Sequence, residues 1–131
     1  MRRSILVADD NFAIRKTLCR VFEIEKDYEV CAEAANGVEA IEMALKHRPD
    51  LIILDLSMPV MNGLEAAREL KRLMPAIPII LFTQHASFTD KWLNAELLVD
   101  RIVSKSNPID LIGHVRSLLP PSGAVSGATI S

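Results

Sequence analysis

The stretch SILVADD, residues 4–10, runs through apolar, strand-forming residues into two adjacent aspartates. Neighbouring carboxylates repel, so a pair of them closing an apolar run requires a partner elsewhere in the chain. Four more apolar, β-rich runs follow: YEVCAEA (28–34), LIILDL (51–56), IPIILF (77–82) and RIVS (101–104). Between them the apolar residues fall at helical spacing, as in Ile14, Leu18, Val21 and Phe22, then Val38, Ile41, Ala44 and Leu45, then Leu64, Ala67, Leu70 and Leu73. Strand followed by helix, five times over, with several strands apolar on both faces, predicts a single α/β domain. Its fold is a doubly wound five-stranded parallel sheet with helices on each side, a three-layer sandwich.

The punctuation agrees. Asn11 is placed to cap the first helix, Asn36 with Gly37 the second, and Asn62 with Gly63 the third, while Pro49, Pro75 and Pro78 fall between elements. A helix is expected over 86–100, with Trp92, Leu93, Leu97 and Leu98 partly inward, although no glycine stops it before LLVDRI. The uncharged segment PPSGAVSGATIS, residues 120–131, cannot build a core and reads as a tail or linker after a domain of residues 1–119.

With 131 residues the chain is large enough for one domain that removes about two-thirds of its unfolded surface from water without disulfides or structural metal. Its apolar runs fall far short of the roughly 20 residues that cross a bilayer, and the two N-terminal arginines meet acidic residues before any signal-length apolar stretch. The expected location is the cytoplasm, with no membrane association. A net charge of −2 offers no field for binding nucleic acid directly. Cys19 and Cys31 form no metal or disulfide pattern and are expected to pack as small hydrophobes.

In an open parallel sheet, ligands bind beyond the carboxyl ends of the strands. The polar residues at those ends are Asp9 and Asp10, Asp55, Thr83 and Lys105, with Ser57 and Met58 in the loop after the third strand. Taken singly, an Asp pair is helix capping, a threonine is a strand residue and a lysine is a solvated charge. Taken together they predict one crevice. Carboxylates about 4 Å apart repel by about 4 kcal/mol per pair at an effective dielectric near ~20, and a divalent cation removes that cost. Oxygen ligands with room for water and a phosphoryl group suit Mg²⁺.

The segments ILVADD, DLIILDLSMPVMNGLEAAREL, PIILFT and IVSK together resemble the receiver domain of bacterial two-component response regulators, over residues 4–119. The resemblance implies a flavodoxin-like (βα)5 sheet of order 2-1-3-4-5 and a signalling phosphoacceptor, not an enzyme with a turned-over substrate. It implies that Asp55 accepts a phosphoryl group from the phosphohistidine of a sensor histidine kinase or histidine phosphotransfer protein. Asp10 and Asp55 would bind Mg²⁺ directly, Asp9 largely through water, and Ser57 through its backbone carbonyl. Thr83 and Lys105 would contact the phosphoryl group. Readout, and a possible homodimer, would use the fourth predicted helix, the fifth strand and the last helix.

The chain departs from the family pattern in places. Ile102 stands where an aromatic switch residue is usual, and is read as packing, with signalling carried by the loop after the fourth strand. Gln84 replaces a small residue and predicts altered phosphoryl-transfer or hydrolysis rates, and His85 follows it. Ser106, not proline, follows the lysine, with Pro108 later. Three rival readings are weighed. A haloacid-dehalogenase-type phosphatase would need an aspartate at Ser57, a dinucleotide-binding domain would need a G-x-G-x-x-G motif, and an interaction module that accepts no phosphate would have no use for Asp55, Thr83 and Lys105.

Overall fold

The computed structural model describes residues 2–84 and 99–121. Five parallel strands, β1 (Arg3–Ala8), β2 (Tyr28–Ala34), β3 (Leu51–Leu54), β4 (Ile79–Thr83) and β5 (Arg101–Ser104), form one sheet in the order β2-β1-β3-β4-β5. The helices are α1 (Phe12–Ile24), α2 (Gly37–His47), α3 (Gly63–Leu73) and α4 (Pro108–Leu118). The last corresponds to the fifth helix expected from sequence. The helix expected over 86–100 lies outside the described residues apart from Val99 and Asp100, which are not helical.

Alternation along the strands divides the core in two. Ile5, Val7, Leu51, Ile53, Ile80, Phe82 and Val103 pack with Leu18 and Phe22 of α1 and Leu111 and Val115 of α4. Leu6, Ala8, Ile52, Leu54, Ile79 and Leu81 pack with Ala40 and Ala44 of α2 and Ala66, Ala67 and Leu70 of α3. Both faces of the sheet are covered, which is why β3 and β4 read as unbroken apolar runs. Alanine facing the sheet lets α2 and α3 approach closely.

Strand β2 breaks the simple alternation. Ile5 pairs with Val30 but Leu6 pairs with Ala32, so Cys31 is an extra residue in a β-bulge. Tyr28 and Val30 therefore join the α1 side, whereas Ala32 and Ala34 join the α2 side, although all four are even-numbered. Neither cysteine is in the buried core: Cys19 and Cys31 are both partly exposed.

The predicted caps are present. Asn11 accepts from the Ile14 amide and Asn36 from the Glu39 amide, and Asn62 and Glu65 form a reciprocal capping box. At the opposite rim from the aspartates, the Tyr28 hydroxyl donates to the Leu119 carbonyl at 2.6 Å, and Arg3 donates to the Pro120 carbonyl at 3.3 Å.

Candidate functional site

Strand order sets the site. From β1 the chain crosses to β2 on one side, and from β2 it returns past β1 to β3 on the other, which opens a crevice at the carboxyl ends of β1 and β3. Each buried charged residue there sits one position past its strand or just beyond, still held by a ladder-like hydrogen bond. The Asp9 amide donates to Ala34 O at 2.9 Å, the Asp55 amide to Ala8 O at 2.8 Å, and the Lys105 amide to Thr83 O at 3.0 Å. Strand β3 ends at Leu54, so Asp55 and Leu56, expected within the strand, lie past its end. Being anchored on neighbouring strands, these side chains are positioned by the sheet more than by loops.

The crevice gathers the predicted residues. Lys105 Nζ lies 2.7 Å from Asp9 Oδ2 and 3.1 Å from Asp55 Oδ1. Asp9 is 1% exposed, Asp55 4% and Thr83 2%. Asp10 is exposed, yet carboxylate oxygens of Asp9, Asp10 and Asp55 all lie within 4.8 Å of one another. The Ser57 amide is 3.4 Å from Asp55 Oδ1, and the Asn11 amide donates to Asp9 Oδ1 at 2.9 Å. Thr83 reaches the site through its carbonyl, which holds the Lys105 backbone, and lies beside Ser104 in the register of β4 and β5.

Three carboxylates against one ammonium leave an excess of two negative charges in a largely dry crevice. The Asp55 carboxyl is pushed up from 3.8 to about 6, by burial first and the nearby Asp9 charge second, with Lys105 and the Ser57 amide opposing the rise. Among the described residues, Asp9 Oδ2 is a buried side-chain oxygen without a hydrogen bond of good geometry, because Lys105 Nζ is close but off the hydrogen-bond direction. A buried, incompletely satisfied carboxylate within an all-oxygen donor set fits a small divalent cation.

The loop after β3 is tightly held. The Gly63 amide donates to Leu56 O at 2.9 Å, and a Cβ at Gly63 would collide with the Asp55 carbonyl oxygen, so only glycine lets α3 start this close to the carboxylate. Gly37 donates to Met61 O at 2.9 Å and likewise has no room for a Cβ, which would fall 2.5 Å from that oxygen. Between them Met61 donates back to Pro59 O at 2.7 Å around Val60, whose φ of 67° is strained for a β-branched residue.

Sequence reasoning did not single out Arg15 or Glu33. Arg15 Nη1 donates to the Asp9 carbonyl at 2.6 Å and its Nε to Glu33 Oε1 at 3.2 Å. The available signal was a cation in the first turn of α1, a turn with no acidic residue to balance the helix dipole.

The family model described as the response regulator receiver domain matches residues 5–116. The chain belongs to this family. Among curated relatives, the receiver is 41% identical over 83 residues to protein-glutamate methylesterase/protein-glutamine glutaminase 4 of Hahella chejuensis, covering 63% of this chain and 21% of that protein. It is 40% identical over 84 residues to the transcriptional regulatory protein PdtaR of Mycobacterium tuberculosis, covering 63% and 40%. The receiver thus spans about a fifth to two-fifths of these relatives. Among solved structures, response regulator protein TrrA from Thermotoga maritima, in complex with Mg²⁺–BeF, is 35% identical with a TM-score of 0.81, covering 89% of this chain and 99% of TrrA. The response regulator domain of Thermotoga maritima CheB shares the fold at TM-score 0.81 and 23% identity, over 90% and 96%.

At the positions where the receiver departs from the family pattern, Ile102 packs against the α2 and α3 side of the core. Gln84 is exposed, and His85 lies outside the described residues. Pro108 opens α4 instead of following the lysine. Among the described residues no helix is long and apolar enough to cross a membrane.

Proposed function

We propose that this receiver is a phosphoacceptor in which Asp55 takes a phosphoryl group from a phosphohistidine on a sensor histidine kinase or histidine phosphotransfer protein. The observation that carries the proposal is the single ammonium of Lys105 lying between the two buried carboxylates, Asp9 and Asp55, at the carboxyl edge of the sheet. Mg²⁺, when held by Asp9, Asp10, Asp55 and the Ser57 carbonyl, supplies positive charge to the phosphoryl oxygens and to the three carboxylates.

The protein's own groups account for the rest. Asp55 Oδ1 is engaged by Lys105 and the Ser57 amide, so Oδ2 is the oxygen assigned to attack. A P–O bond to Asp55 forms as the P–N bond to imidazole breaks, and the histidine leaves with its electron pair. Lys105 offsets charge on the transferring group, and the Thr83 hydroxyl donates to one of its oxygens. An Asp55 with a raised pKa is ionised at neutral pH but is a stronger base than a surface carboxylate, which favours attack. The product is an acyl phosphate, and water returns it to the carboxylate.

Residues 1–119 act as the receiver unit and 120–131 as a tail. The signal is carried through the loop after β4 to the face of the fourth predicted helix, β5 and α4, the face also assigned to a possible homodimer, with cytoplasmic location and no direct contact with nucleic acid. No methylesterase or transcriptional activity is assigned to these residues. Mass spectrometry after treatment with acetyl phosphate and Mg²⁺ tests the proposal. A gain of one phosphoryl group that Asp55→Asn abolishes is expected; no gain in the unsubstituted chain rejects it and favours a binding module that accepts no phosphate.

A further inference from the structure

Arg15 takes no part in the chemistry above, yet its guanidinium is tied in three directions. It donates to the Asp9 carbonyl at 2.6 Å and to Glu33 Oε1 at 3.2 Å, and lies 5.5 Å from the centre of the Phe12 ring. Its side chain is only 15% exposed. Near the start of a helix a cation faces the positive end of the dipole, so this position is unfavourable unless local acceptors offset it. Glu33 is available because of the bulge at Cys31, which turns it to the α1 side opposite Val7. There it also pairs with Lys16 at 3.0 Å.

The Asp9 carbonyl and the Asp10 N–H belong to one planar peptide unit. Fixing the carbonyl fixes the plane from which the Asp10 side chain departs. Asp10 has need of this: it is exposed, and among the described residues no hydrogen bond or ion pair restrains its carboxylate. Asp9, by contrast, is held by hydrogen bonds at its amide, at Oδ1 and, through Arg15, at its carbonyl, with Lys105 close to Oδ2 as an ion pair.

We propose that Arg15, braced by Glu33, is a positioning residue that orients the Asp9–Asp10 peptide so that the Asp10 carboxylate is presented for Mg²⁺. The inference rests on the reading of the crevice as a Mg²⁺ site. Positioning and simple charge predict opposite signs. Removing a cation beside an acidic pocket by Coulomb's law tightens binding of a second cation, whereas loss of orientation weakens it.

The test is calorimetric titration of the full chain with MgCl₂, with circular dichroism to verify folding. Arg15→Ala is expected to weaken Mg²⁺ binding about tenfold, in the range seen when groups supporting metal ligands are removed. Arg15→Lys, which keeps the charge but lacks the planar guanidinium fork that spans the Asp9 carbonyl and Glu33, is expected to stay weak. Glu33→Gln is expected to weaken binding severalfold, by a factor that persists at high salt where the simple charge effect is screened, and provides the test should Arg15→Ala not fold. Unchanged or tighter binding in Arg15→Ala, unchanged binding in Glu33→Gln, or full recovery in Arg15→Lys overturns the proposal. A chain that binds Mg²⁺ in an Arg15-dependent way but gains no phosphoryl group rejects only the phosphoacceptor reading; a chain that binds no Mg²⁺ rejects both.

Discussion

Replacing Asp55 by asparagine should make the metal-free protein more stable, even though it removes the group assigned the central chemistry. The substitution nearly preserves volume and removes only the charge. In the folded protein the Asp55 carboxyl titrates at about 6, against 3.8 for an unperturbed aspartate. The folded state therefore holds this proton more tightly than the unfolded chain does. Below pH 3.8 both states are protonated and the charge costs nothing; stability falls as pH rises through the window from 3.8 to about 6, and above it the cost is fully present. At about 1.36 kcal/mol per pH unit, that interval corresponds to an upper value of about 3 kcal/mol. Solvent screening takes little away, since Asp55 is 4% exposed. Lys105, 2.7 Å from Asp9, is left with a carboxylate partner when Asp55 loses its charge. The assay is urea denaturation of both proteins in chelator at several pH values, read as the difference between them so that other titrating groups cancel. Asp55→Asn is expected to be more stable by about 2–3 kcal/mol at pH 7.5, with the gain fading toward pH 4. A gain that is absent at pH 7.5, or that does not shrink on acidification, refutes the reasoning.

Lys105→Met leaves Asp9 and Asp55 facing each other without a cation and should destabilise the metal-free chain by about 3 kcal/mol, a loss limited by proton uptake on Asp55 and measurable by the same denaturation. Gly63→Ala drives a methyl group into the Asp55 carbonyl oxygen. It should cost roughly 1–3 kcal/mol and weaken Mg²⁺ binding together, so wild-type affinity in a destabilised variant would contradict the role given to that close approach. Val60→Asn, at an exposed residue with positive φ, should raise stability by about 1 kcal/mol, because asparagine tolerates this backbone conformation and valine does not. Unchanged urea midpoints would count against strain at that turn.

The parallel sheet and the carboxylate crevice were legible because both depend on where apolar runs stop. Asp9, Asp55 and Lys105 announce themselves as charges closing strand-like segments, and the parallel order of the strands brings those ends to one edge. Asn62 was equally readable as the start of α3, because capping is a local event. The bulge was not. YEVCAEA alternates as if its even residues shared a face, and only pairing with β1 reveals that Cys31 is skipped and the faces exchange. Arg15 was hidden for a related reason. Its two acceptors, a carbonyl on the preceding turn and a glutamate on β2, come together only after that exchange has occurred. The end of β3 was overrun because Asp55 keeps one backbone bond to Ala8 after regular pairing has ceased.

The tie between Tyr28 and Leu119 has a practical bearing on experiments. Tyr28 and Arg3 begin their strands, so the backbone at Pro120 leaves from the floor of the sheet, while the acidic crevice is at its roof. The six residues of β1 separate the two levels by roughly 20 Å. A fluorophore or affinity handle joined directly after Pro120 therefore starts out at the rim opposite the carboxylates, and immobilisation at that point leaves the crevice facing away from the support.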